Sequence, residues 1–316
     1  RPVTKYGSRG SDSSRSCVGC DVVRRRVGAV LALVVTSFAA SAQTPEFTLK
    51  IDLRPTYMSE RGDHTTFRWY DSMGRHSTIG LQLNLEPGYR IWVSQRLQKI
   101  DNDPDRDQLD EYYLEDPGNW RLGRQYLPFG DRILLRSSAM AARLDTQLLL
   151  AALPIAIAYA DGGKGKVRGV VGRIGRGFGV SVAVGDHFGI SASDLTPIRS
   201  PEAAPGRGRG YRFVLGGDYG QRFGPILLEG EYAAFRRGST ELDADLDVSD
   251  LRATVSPATA NGMKLTGAWS REWRAKEDFY RIEGELPIGP KLQMIPFVRF
   301  ARGDWERLGI TVRIRF

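Results

Sequence analysis

Leu308-Gly309-Ile310-Thr311-Val312-Arg313-Ile314-Arg315-Phe316 is the stretch that decides the fold of this 316-residue chain. Leu308, Ile310, Val312, Ile314 and Phe316 alternate with Gly309, Thr311, Arg313 and Arg315, and Arg307 extends the polar series upstream. Successive side chains of a strand point to opposite faces, so this segment has one apolar face and one cationic face. Such a strand needs water on one side and an apolar medium on the other. The same period of two recurs in Phe47 to Arg54, Thr78 to Leu85, Phe178 to Gly185 and Tyr280 to Leu286. Alternation alone fits a soluble sandwich as well as a membrane barrel. Two features favour the barrel. Apolar faces carry aromatic residues (Tyr211, Tyr219, Tyr232, Trp269, Tyr280, Phe300), as at membrane interfaces. The opposite faces carry charges of both signs, which a wet lumen tolerates.

Composition is silent on this point. Hydrophobic residues make up 41% of the chain and mean hydropathy is -0.33. No stretch of the expected mature chain approaches the roughly 20 apolar residues of a spanning helix, but barrel strands cancel in any such average.

The N-terminus predicts export. Arg24, Arg25 and Arg26 precede the apolar Val27 to Ala39, and Ala40-Ser41-Ala42 supplies a small-x-small cleavage site, so the mature chain is expected from Gln43. Residues 1–42 are thus assigned to an over-extended N-terminus plus signal peptide, and 43–316 to the barrel. Cys17 and Cys20 would leave with the signal, so their CxxC spacing carries no metal or redox reading. Cleavage removes seven Lys/Arg and two Asp/Glu, and the net charge falls from +8 to +3. Nucleic acid is therefore not an expected partner.

Strands are expected near 46–55, 77–85, 89–99, 109–115, 120–126, 146–152, 155–160, 167–174, 177–185, 210–219, 225–235, 247–256, 263–273, 278–286, 291–301 and 306–316. That makes an all-β, transmembrane, antiparallel up-and-down barrel of about 16 strands, with 14 as the alternative. Splitting 146–160 at Pro154 keeps the count even and puts the long connections 56–76, 127–145 and 186–209 on one side. Short turns such as Glu86-Pro87-Gly88 and Pro287 to Pro290 fall on the other.

Two resemblances follow from these residues. Ile310, Val312, Ile314 and the aromatic Phe316 resemble the C-terminal assembly signal of bacterial outer-membrane barrels, which implies outer-membrane lipid and the barrel-assembly machinery as partners. Leu122-Gly123-Arg124-Gln125-Tyr126-Leu127-Pro128-Phe129-Gly130 resembles the GRxxxPFG segment of porins related to the phosphate-selective porins O and P. That likeness implies a homotrimeric diffusion channel with an inward-folded loop after the strand. The following Asp131 to Asp145 contains Arg132, Arg136 and Arg143, with a helix-like Ser138 to Arg143, and no lysine ladder accompanies it.

Catalytic chemistry is not expected. His64, His76 and His187 sit in expected loops or at strand edges without a nucleophile, no GxSxG occurs, and Gly172 to Gly179 and Gly206 to Gly210 lack a strand–helix context. Glu241, Asp243, Asp245 and Asp247 read as a solvated acidic loop rather than a Ca²⁺ site. No cofactor or metal is expected. The functional expectation is a passive channel for small hydrophilic solutes. The alternative is a plugged barrel with a structural or surface role. The pore-lining candidates of the channel are Arg132, Arg136, Arg143, Arg212, Arg252, Arg281, Glu283, Glu285, Arg299, Arg307, Arg313 and Arg315, and their balance predicts mild anion preference.

Overall fold

The computed structural model describes residues 46–62, 65–72, 74–85, 88–98, 109–135, 138–148, 152–163, 166–188, 211–237, 245–257 and 262–316. The expected signal peptide with Cys17 and Cys20, the cleavage site, His64, Arg136, Glu241 and Asp243 lie outside these residues.

The strands are β1 (Glu46–Leu53), β2 (Thr56–Glu60), β3 (Thr66–Arg68), β4 (Thr78–Asn84), β5 (Arg90–Arg96), β6 (Leu109–Asp116), β7 (Trp120–Tyr126), β8 (Ser138–Leu148) and β9 (Leu153–Asp161). They continue as β10 (Arg168–Arg176), β11 (Phe178–Phe188), β12 (Tyr211–Phe223), β13 (Ile226–Arg236), β14 (Leu246–Val255), β15 (Lys264–Glu272), β16 (Glu277–Gly289), β17 (Leu292–Ala301) and β18 (Asp304–Arg315). All neighbours pair antiparallel, and β1 closes the sheet by pairing β4 on one side and β18 on the other. Beyond Pro55, β2 continues the line of β1 along β18, while β3 pairs with β2 above β4. The segments therefore make a closed barrel of 16 strands.

Register fixes the two faces. Leu53 lies opposite Ile314, Leu83 opposite Phe47, and Val182 opposite Leu215, so the apolar series meet on the outer wall. Leu81, Leu122, Val182, Leu215, Tyr232, Leu251, Ile282 and Leu308, each on a different strand, all stand exposed there. An apolar belt of this extent far exceeds the patches of soluble monomers.

Four local expectations need correction. The expected connection 56–76 contains β2 and β3, because pairing with β18 extends the wall past Pro55. Ser138 to Arg143 is strand, not helix, and opens β8, which therefore starts well before the expected 146. Ala, Met, Arg and Leu favour helix intrinsically, but pairing of Ser138–Leu144 with β7 overrides that preference. Pro154 does not break a strand. It is the second residue of β9, opposite Gln147, a position near a strand start where a missing N–H is tolerated. The turn falls just before it, at Ala152, whose φ is +48°. The even count survives because β8 begins earlier. Tyr211 is also not lipid-facing: it is buried against the ring of Phe235, 5.1 Å between centroids, past a register shift in β11.

Candidate pore and its constrictions

The segment 127–135 leaves β7 and folds into the barrel. Leu127, Phe129, Leu134 and Leu135 are fully buried, and they pack with Ala141, Ala158, Val171, Ala183, Val214, Ala233 and Val248, inward residues of β8 to β14. Small residues on that wall make room for the segment. At Gly216 a Cβ would come within 2.6 Å of the Phe129 ring. The tip is held by polar contacts. The Gly130 amide donates to Ser181 Oγ at 2.9 Å. The Asp131 and Ile133 amides donate to Glu231 Oε2 at 3.1 and 3.0 Å, and the Leu134 amide to Oε1 at 3.3 Å. Gly130 has φ +47°, and a side chain there would strike that carboxylate. Arg132, held at φ +61°, lies over the Tyr126 ring at 5.9 Å, near the charges of Glu111, Arg143 and Arg121. Burial and the neighbouring Asp218 push the Asp131 carboxyl up from its ordinary value.

A second segment, described at 69–72 and 74–77, also turns inward, between β3 and β4. The Asp71 amide donates to Arg75 O, the Ser77 amide to Trp69 O, and Tyr70 bridges His76, making a tight hairpin. Asp71 is buried between Arg54 Nη1 at 2.5 Å and Arg75 Nε at 2.6 Å. Burial opposes its ionisation, but Arg75 and Arg54 outweigh it and hold the carboxyl well below the usual carboxylate range. Ser72 Oγ donates at 2.8 Å to Glu283 Oε2 on β16, four strands round the wall, and Arg75 Nη2 lies 3.8 Å from Glu283 Oε1.

The remaining inner wall is charged, and register aligns its arginines. Arg252 lies opposite Ala268, Ala268 opposite Arg281, Arg281 opposite Arg299, and Arg299 opposite Arg307. Each of the four has a carboxylate close by: Asp250 at 2.7 Å, Glu283 at 3.9 Å, Glu306 at 3.1 Å and Glu60 at 3.2 Å, respectively. Arg281 is nevertheless under-coordinated, since its Nε and Nη1 meet no hydrogen-bond acceptor among the described residues. The other sequence-derived candidates separate. Arg313 binds Asp52 at 2.5 Å, Arg315 bonds Gln293, and Glu285 pairs with Lys264. Arg143 stands on β8, not in a loop, paired with Asp145. Arg212 is exposed near the start of β12, 3.4 Å from Asp186. Ile310, Val312 and Ile314 face outward on β18, and the Phe316 amide donates to Ile51 O. Glu283 and Glu285 were expected to neutralise part of this wall, and Glu283 lies beside Arg281, whereas the pairing of Asp52, Glu60, Asp250 and Glu306 with these arginines was not assigned from sequence, because registers are not readable there. Asp71, Ser72 and Arg75 were missed entirely; a polar run between strands gives no sign that it turns inward.

Asp245 and Asp247 are engaged by Arg236 and Arg274, and no group of three His, Cys, Asp or Glu suited to a metal occurs among the described residues.

No family model and no curated protein sequence matches the chain. Solved structures do share its fold. The outer membrane channel DcaP of Acinetobacter baumannii aligns with TM-score 0.57 at 12% identity over 87% of this chain and 99% of that one. OmpT, an outer membrane protein of Vibrio cholerae in its trimer form, aligns with TM-score 0.55 at 10% identity, covering 87% and 100%. An anion-selective porin from Comamonas acidovorans aligns with TM-score 0.53 at 12% identity, covering 86% and 100%. At these identities the likeness is one of fold: a closed antiparallel barrel of the porin type.

Proposed function

We propose that the chain is an outer-membrane diffusion channel for small hydrophilic solutes, exported by its N-terminal signal and inserted by the barrel-assembly machinery. The observation that carries this reading is a closed barrel with an apolar belt outside, charged strands inside, and a loop folded inward across part of the lumen. A neighbour that is an outer membrane protein in trimer form supports a homotrimer here, and neighbours that are a channel and a porin support conduction. Ile310, Val312, Ile314 and Phe316 are assigned the assembly role. Refolded protein in a planar bilayer is expected to give steady unitary currents. A silent bilayer with verified insertion would favour a plugged barrel instead.

The aligned arginines support a mild anion preference, since guanidinium stays charged at physiological pH and Arg281 retains unused donors. Reversal potentials in a salt gradient are expected on the anion side for the parent. Arg252→Gln with Arg281→Gln should move them toward the cation side. No shift in the double variant would remove these arginines from the filter.

A further inference from the structure

We propose that the hairpin 69–77 is a second constriction of the lumen, separate from the loop 127–135, and that Glu283 and Ser72 set its position. The proposal rests on the channel reading and extends it. The loop 127–135 seals its apolar side chains against the inner face of β8 to β14, so that part of the lumen is dry core. Permeating solute must pass along the remaining wall, where Arg252, Arg307 and Arg313 are part-exposed and Arg281 and Arg299 are buried. The hairpin occupies space in that part: it leaves the barrel between β3 and β4 and packs the buried Ser72 against the buried Glu283 on β16.

Its attachments are those of a built element rather than a stray turn. Asp71 ties Arg75 of the hairpin to Arg54 at the top of β1. Ser77 Oγ accepts from the Arg54 amide at 2.6 Å, which anchors the returning end. Leu97 donates to Ser77 O, and the Trp69 amide donates to Gln98 Oε1 at 2.6 Å, fixing the base against β5. The far end is attached to one residue of the wall four strands away, Glu283 on β16. Glu283 there accepts the Ser72 hydroxyl and faces both Arg75 and Arg281. Loss of this carboxylate removes the counter-charge that Arg75 and Arg281 share, while Asp71 still pairs Arg75, so the tip loses its attachment to β16 and the two guanidiniums repel more strongly. The base contacts survive, and the barrel stays closed.

The test uses the refolded full chain as parent, Glu283→Ala and Ser72→Ala, with heat-modifiable migration as the check of folding. Two readings are taken. The first is unitary conductance together with the size of polyethylene glycol that enters the pore. Both are expected to rise in Glu283→Ala and, to a smaller degree, in Ser72→Ala. The second reading is independent of conduction: limited trypsin cleavage after Arg75, located by mass spectrometry. The parent should resist at Arg75, and Glu283→Ala should be cut there. If Glu283→Ala does not fold, Ser72→Ala, which loses a single hydroxyl, carries both readings. Folded variants with parental conductance and parental exclusion size overturn the proposal, as does a parent cut freely after Arg75. A parent that inserts but never conducts would instead overturn the channel reading, while protection of Arg75 would still report the hairpin's attachment.

Discussion

Glu231→Ala is expected to raise and destabilise the unitary current and to lower the barrel's resistance to unfolding by about 3 kcal/mol or more. The side chain is 2% exposed and accepts three backbone amides from the loop 127–135. Hydrogen bonds to a charged group contribute about 1.5–3 kcal/mol each, and an orphaned buried donor costs about 1–3 kcal/mol. Alanine leaves those three N–H groups without the carboxylate that accepts them. The apolar half of the attachment remains, with Phe129 seated over Gly216. The loop should therefore fluctuate at Gly130–Leu134 while Leu127 stays packed, giving noisy, larger currents rather than an empty barrel. Glu231→Gln keeps one acceptor oxygen but turns an NH₂ toward an amide, so it should fall between the two. Single-channel recording and urea titration in the same detergent check both parts. Parental current and a parental unfolding midpoint in Glu231→Ala would show that the loop is held by its apolar side chains alone.

The outline of the barrel was legible in the sequence because its information is local. Alternation along Leu308 to Phe316 or Phe178 to Gly185 assigns faces without knowledge of partners, and parity then constrains the strand count. Legibility failed where a residue's state depends on something distant. Ser138 to Arg143 reads as helix until β7 lies beside it. Pro154 reads as a break until its position near the start of β9 is known. The lumen charges show the same limit more sharply. Arg299, Arg307 and Arg313 were recognisable as inward, yet each is balanced by a carboxylate on an adjoining strand or a few residues further along the chain, Glu306, Glu60 and Asp52. The last two contacts join opposite ends of the chain, which meet only at closure of the barrel. The inward loop was expected from nine residues of resemblance, but its anchor, Glu231, lies 100 residues away from Asp131. The hairpin 69–77 left no trace, since Asp, Ser, Gly and His are what any surface connection would contain.

Leu81→Arg should cost about 2–4 kcal/mol if its strand position lies near the bilayer midplane, whereas the adjacent Gln82→Glu should cost much less. Leu81 is central in β4, opposite Leu49 and Val93, and 41% exposed on the outer wall. In water such a residue would accept a guanidinium with little penalty, because an exposed leucine contributes little to a fold. In hydrocarbon the charge must be dragged toward the interface by a side chain that distorts the bilayer or the strand around it. Gln82 points the other way, toward the lumen, where its amide oxygen accepts from Lys50 Nζ at 2.7 Å. A carboxylate there keeps that contact and adds charge but loses the Nε2 donation to Asn84 Oδ1 at 2.7 Å, so the folding cost should stay well below that of Leu81→Arg while the reversal potential moves toward the cation side. Unfolding in urea from lipid vesicles measures the first effect, and bilayer recording the second. Equal stability of Leu81→Arg and Gln82→Glu in vesicles would mean that the apolar belt faces water or protein instead of lipid, and the membrane reading would fail with it.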